Sequence, residues 1–285
     1  MLSAAAAASA LAADDADFAV AQEFISEPAD VAPAVARVRA RARGGAVAVD
    51  LEGVNLGREG ELCIIQVATA RRGDPIVLFD VVALGAGAFD GPGEALRALL
   101  EDAGVEKLFF DARSDANALL FLHGVRVARA VDLQLADVAA RVARGKGAAR
   151  VSGLGAICER SGAAALSEPE RARLARTKAA ALALFAPERG GSYDVWRARP
   201  LPRVLLEYCS DAALFFSLRD AFDATLLRSL GARGARAAAD ALAAAADARL
   251  AFAHSDAFNK SDRDLLVAAD PALVAAIDAL RREPR

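Results

Sequence analysis

The tightest constraint on the fold is a change of rhythm near residue 90. Before it, three short apolar runs, Ala46–Asp50, Leu62–Val67 and Pro75–Phe79, are separated by turn signals at Gly57, Gly60 and Arg72-Gly73-Asp74. Apolar runs of this length, bounded by turn residues, read as strands, and connections this short imply an antiparallel meander. After residue 90, Leu96, Leu99 and Leu100 recur at helical spacing up to a stop at Gly104. Lys107–Phe110 then reads as a strand, Asp115–His123 as a helix and Ala130–Leu133 as a short strand, and from about Leu135 the chain reads as helices and loops. A meander followed by strand–helix alternation predicts an α/β fold: a mixed five-stranded sheet flanked by helices, with a helical C-terminal extension.

Three regions are expected. Residues 1–20 read as a flexible alanine-rich leader, 21–230 as one domain, and 231–285 as an alanine-rich helical tail. Within the domain, Ala34–Arg43 reads as a helix ending at Gly44-Gly45. Hydrophobic residues make up 55% of the chain, enough for a sizeable core, yet no run approaches the roughly 18 apolar residues of a membrane span. A net charge of −3 excludes a global positive field, so any hold on nucleic acid must come from a local basic patch and from bound cations. Cys63, Cys158 and Cys209 include no close pair, which excludes a disulfide framework or zinc knuckle and fits an intracellular, reducing compartment. His123 and His254 lack metal-ligand spacing, and His123 reads as a helix-end residue. No basic residue precedes the apolar run Ser3–Ala13, so a secretory signal is not expected, and the acids that follow weaken an organelle-targeting reading.

The chemistry lies in acids. In Val49-Asp50-Leu51-Glu52 the two carboxylates are two residues apart, so a strand projects both from one face. Two acids on one face repel each other and lose hydration unless a cation lies between them. Hard divalent ions such as Mg²⁺ take ligands of this kind. Asp115 falls in the first turn of its predicted helix, where a cap or a dipole partner is also expected, and Asp111 nearer the strand end competes with it. Pro200 and Pro202 open a further predicted helix that carries Tyr208 and, in its interior, Asp211.

Together these segments resemble the three motifs of the tyrosine-type DEDD 3′–5′ exonucleases, which include ribonuclease D and the nuclease domain of Werner-type helicases. Asp50-Leu-Glu52-Gly-Val-Asn-Leu-Gly and Phe110-Asp111-Ala-Arg113-Ser-Asp115 are most similar to the exonuclease domain-containing proteins related to the Egalitarian exonuclease domain. Trp196–Leu201 is similar to the segment before the third ribonuclease D motif. The resemblance covers roughly residues 45–225. The histidine branch is excluded, because its histidine position is Leu206. One departure stands out: the family has Tyr four residues before the last Asp, whereas here Tyr208 is three before and Glu207 takes the fourth place.

The resemblance implies a ribonuclease H-like fold and two divalent ions, Mg²⁺ or Mn²⁺, held by Asp50, Glu52, Asp115 and Asp211, with Tyr208 orienting the attacking water. Glu207 remains the alternative to Tyr208. The implied partner is the single-stranded 3′ end of a nucleic acid, RNA being the expected substrate, with nucleoside 5′-monophosphates as products. Arg144, Lys146 and Arg150 lie in a glycine-punctuated basic loop that can approach phosphates. Two other readings stay open: an exonuclease-fold RNA-binding adaptor with little or no activity, and a DNA repair exonuclease.

Overall fold

The computed structural model describes residues 21–42, 45–71, 73–160, 168–262 and 266–283. The predicted leader 1–20 and Arg43 lie outside the described residues. In chain order the elements are β1 (Gln22–Ile25), α1 (Pro28–Arg41), β2 (Ala46–Val54), β3 (Glu61–Ala68), β4 (Ile76–Asp80), α2 (Glu94–Glu101) and β5 (Glu106–Phe109). They continue with α3 (Arg113–His123), β6 (Ala130–Asp132), α4 (Leu133–Ala143), α5 (Leu154–Arg160), α6 (Glu168–Phe185), α7 (Arg203–Tyr208), α8 (Phe215–Ala253) and α9 (Pro271–Arg282). The fold is a mixed sheet of six strands with flanking helices, one strand more than the sequence predicts. The addition is β1, four residues too short to show an alternating pattern. Helix α1 starts earlier than expected because Pro28, whose missing N–H costs nothing in a first turn, opens it.

The chain divides into two compact units, each built from two stretches of sequence. The first comprises residues up to Leu99 and Leu166–Ala213. Its strands follow the order β1-β4-β3-β2, with β1 parallel to β4 and the meander β2–β3–β4 antiparallel. In β2, Val47, Val49 and Leu51 are buried on one face, which leaves Asp50 and Glu52 together on the other.

The β2–β3 ladder carries a bulge between Glu52 and Gly53. A Cβ on Gly53 would lie 1.9 Å from the Glu61 carbonyl oxygen, so only glycine lets the two strands close here. Bulges of this kind re-aim the side chains beside them, and this one immediately follows Glu52.

The second unit comprises Leu100–Ala165 and Leu214–Arg285. It holds the parallel pair β5–β6 and the helices that follow. The stretch 231–285, set apart in the sequence reading, packs within this unit: Ala238, Ala245, Leu273 and Ile277 share a core with Leu135, Val138 and Val142 of α4. Alanine allows that close approach of helices. Gly231, at φ +72° and ψ 175°, interrupts α8 with a conformation that residues bearing a Cβ avoid.

Candidate active site

Asp50, Glu52, Tyr208 and Asp211 all belong to the first unit and share one electrostatic neighbourhood. Burial, followed by the Asp211 charge, raises the Asp50 carboxyl from 3.8 to about 7; the Lys178 charge and hydrogen bonds from the Leu51 N–H and Gln66 act against the rise. Burial likewise raises Asp211, with Lys178 opposing. The Tyr208 hydroxyl is pushed far above its ordinary value by burial and then by the charges of Glu52, Asp211 and Asp50. Tyr208 is therefore a neutral phenol at any working pH, able to donate a hydrogen bond next to three acids.

The third motif differs from its prediction in one respect. Asp211 is not inside a long helix. Helix α7 ends at Tyr208, Cys209 leaves helical geometry, and Asp211 opens a separate 3₁₀ turn, Asp211–Leu214. Side chains absorb the carbonyls freed by the break: Gln22 Nε2 donates to Leu206 O at 2.6 Å and to Cys209 O at 3.0 Å, and Ser210 Oγ donates to Glu207 O at 2.9 Å. The break removes any fixed helical phase between Tyr208 and Asp211, so a spacing of three residues still delivers both to the acids. Glu207 is engaged elsewhere, accepting from Arg203 Nε at 2.9 Å.

An aromatic cluster fixes the Tyr208 ring. Phe185 of α6 lies 5.4 Å from Tyr208 and 5.6 Å from Trp196, centroid to centroid, within the range of favourable ring contacts. The Trp196 segment is itself tied to the sheet by Arg199, which donates Nε to Oδ2 of buried Asp80 at 2.6 Å and NH1 to the Trp196 and Ala198 carbonyls at 2.9 and 2.7 Å. The Trp-x-x-Arg-Pro stretch thus works as a structural clamp.

Sequence reading missed two residues here. Gln66 faces Asp50 across the ladder, and Lys178 of α6 places Nζ 2.8 Å from Asp211 Oδ2. Neither carries a local signal: Gln66 sits in an apolar strand and Lys178 in a helix whose sequence is rich in charged residues.

The donor set suits a hard divalent cation. Asp211 Oδ1 is buried with no hydrogen-bond partner, an unused carboxylate oxygen beside a second acid. Among the described residues, no three His, Cys, Asp or Glu side chains already stand close enough together to enclose an ion. Lys178 supplies the cationic charge there.

Asp115 lies in the second unit, buried in the first turn of α3. Its rival Asp111 adopts a left-handed backbone, φ 61°, and gives both carboxylate oxygens to Arg113, with Nε–Oδ1 2.6 Å and NH2–Oδ2 2.7 Å. Asp132 accepts from the Asp111 and Ala112 N–H groups and from Arg249, which fixes the turn that opens α3. In the same unit, Arg144, Lys146 and Arg150 are exposed on the loop after α4. Arg144 lines a cavity of about 460 Å³ together with Arg228 and Arg281, two arginines the sequence did not single out. Arg141, three residues before Arg144, is tied to Asp137 at 2.9 Å.

A sheet of this order, with an acid pair on β2 and a tyrosine held beside a third acid, defines a ribonuclease D-like nuclease fold. The sequence matches the 3′-5′ exonuclease family model over residues 22–226, and the chain belongs to that family. It is similar to ribonuclease D of Trypanosoma brucei, solved with GMP (TM-score 0.67, 20% identity, 90% of this chain and 72% of the other) and with RNA U12 (TM-score 0.66, 20% identity, 90% and 79%). It is also similar to Escherichia coli ribonuclease D, an exoribonuclease involved in structured RNA processing (TM-score 0.54, 18% identity, 82% and 51%). Over 92 residues, 32% of this chain, it is 37% identical to the mouse and human piRNA biogenesis protein EXD1. That match spans 15% of the mouse protein and 17% of the human one. Among the described residues, no helix is long and apolar enough to cross a membrane.

Proposed function

We propose that this 3′–5′ exonuclease removes nucleotides from the 3′ end of single-stranded RNA with two divalent ions, releasing nucleoside 5′-monophosphates. The observation that carries the reading is the Asp50–Asp211 pair, two mutually repelling acids with an orphaned buried oxygen at Asp211. Two Mg²⁺ or Mn²⁺ ions held by Asp50, Glu52, Asp211 and, by family resemblance, Asp115 would activate water and stabilise the leaving 3′-oxygen. Tyr208, kept neutral, orients that water through its hydroxyl, and Gln66 holds the Asp50 carboxylate in one rotamer. Phe185 and Trp196 keep the Tyr208 ring from turning away. Arg144, Lys146 and Arg150 contact the phosphate backbone, adding affinity without sequence preference. The ribonuclease D complexes with GMP and RNA U12 support RNA as the substrate class.

A second reading, an RNA-binding adaptor with little activity, is favoured by the Lys178 ammonium on Asp211. Incubating 5′-labelled single-stranded RNA and DNA with the chain in Mg²⁺ or Mn²⁺ separates the two. A ladder shortening from the 3′ end of RNA supports the enzyme, and faster loss of DNA makes it a DNA exonuclease. Binding without shortening supports the adaptor.

A further inference from the structure

Lys178 is placed by packing and does not reach Asp211 by chance. On α6 it shares a face with Ala181 and Phe185, three and seven residues on, and both of these are buried. Phe185 anchors that face on Tyr208 and Trp196. The ammonium is 2.8 Å from Asp211 Oδ2, with the lysine side chain 21% exposed and the aspartate 8%. An ammonium this far from water is costly unless acids surround it, and here Asp211 touches it and Asp50 lies within reach of its charge. Lysine suits a position that must be vacated: it is a compact point charge on a flexible stem, where arginine would lock a planar fork onto the carboxylate.

We infer that Lys178 is the resident counter-cation of the acid centre, standing on Asp211 Oδ2 until a divalent ion displaces it, so that metal loading is a competition between two cations. The inference rests on Asp50 and Asp211 being metal ligands. Without the ammonium the two acids would repel each other with nothing between them. With it, an arriving ion must overcome like-charge repulsion before it can use both Asp211 oxygens.

The test is Mn²⁺ binding to the full chain without nucleic acid, by titration calorimetry and by electron paramagnetic resonance of free Mn²⁺, in wild type, Lys178→Met, Lys178→Arg, Asp50→Asn and Asp211→Asn. Lys178→Met is expected to bind Mn²⁺ roughly tenfold or more tightly, the size of effect that one charge exerts at contact range. Its metal-free melting temperature should fall, and Mn²⁺ should raise that temperature more than it does in wild type. Lys178→Arg, which keeps the charge, should bind no more tightly than wild type. If Lys178→Met does not fold, Lys178→Gln takes its place. Unchanged or weaker Mn²⁺ affinity on removing the charge overturns the inference. If that happens while Asp211→Asn still loses Mn²⁺, the metal reading survives and only the lysine's role is wrong. If both Asp50→Asn and Asp211→Asn bind Mn²⁺ like wild type, the metal reading fails and the inference fails with it.

Discussion

Gln66 stands directly opposite Asp50 in the β2–β3 ladder and donates Nε2 to Asp50 Oδ2 at 2.7 Å. Gln66 is fully buried, and its own Oε1 has no hydrogen-bond partner. A buried amide with an unsatisfied oxygen is a local cost, and its return is an Asp50 carboxylate fixed in orientation next to Glu52.

The same neighbourhood sets a pH dependence. Asp50 in the folded chain holds its proton to about 7, whereas its ordinary value is 3.8. Between these values the folded state binds more protons than the unfolded one, so stability is highest below the window and falls as pH rises through it. The metal-free chain should therefore melt at a lower temperature at pH 8 than at pH 5, and Asp50→Asn should flatten the difference. Asp50→Asn and Asp211→Asn should both abolish turnover, but only Asp50→Asn should stabilise the metal-free chain at pH 8, because Asp211→Asn strips Lys178 of its partner. Thermal melts in chelator across that range check this; equal slopes in wild type and Asp50→Asn would contradict it.

Tyr208 and Glu207 should separate cleanly in kinetics. Tyr208→Phe keeps the ring contacts with Phe185 and Trp196 but loses the hydroxyl, and turnover should fall about a hundredfold, the scale of a misplaced reactant. Glu207→Gln weakens only the pair with Arg203 and should stay within about twofold of wild type, as expected of a partly exposed ion pair. The opposite ranking would make Glu207 the working residue.

For the second motif, Asp115→Asn should remove activity with the melting temperature nearly unchanged. Asp111→Asn should do the reverse, since it releases buried Arg113 from a bidentate pair. Asn still accepts one of the two hydrogen bonds, so the loss is about 1.5–3 kcal/mol, the scale of a hydrogen bond to a charged group. An inactive but stable Asp111→Asn would reverse the assignment.

Gly53→Ala should destabilise the chain by about 1–3 kcal/mol, the usual range for overpacking, because its Cβ would meet the Glu61 carbonyl. Activity at low temperature should fall as well, since the bulge aims Glu52. Chemical denaturation and a cold assay check both halves.

Replacing Arg144 and Lys146 with Ala should weaken RNA binding and flatten its dependence on salt by about one counterion per lost phosphate contact. A slope identical to wild type would take this loop off the substrate path. Adding Arg228→Ala tests whether the cavity it shares with Arg144 belongs to the same surface.

The acid pair, the order of the meander and the identity of the motifs are legible in the sequence, because they depend on local periodicity. A strand puts Asp50 and Glu52 on one face whatever surrounds it, and glycines mark the turns. The expectation of one long helix through Asp211 fails for a non-local reason. The carbonyls left open at the break are capped by Gln22, 184 residues from Leu206 in sequence and invisible to any window around the motif. Gln66 and Lys178 were hidden in the same way: each is ordinary in its own element and matters only because folding brings it to an acid from another one. The sequence by itself determined which acids share a strand face and which family the motifs belong to. The tertiary structure decided which partners hold them, since the partner of a buried charge is set by proximity in space.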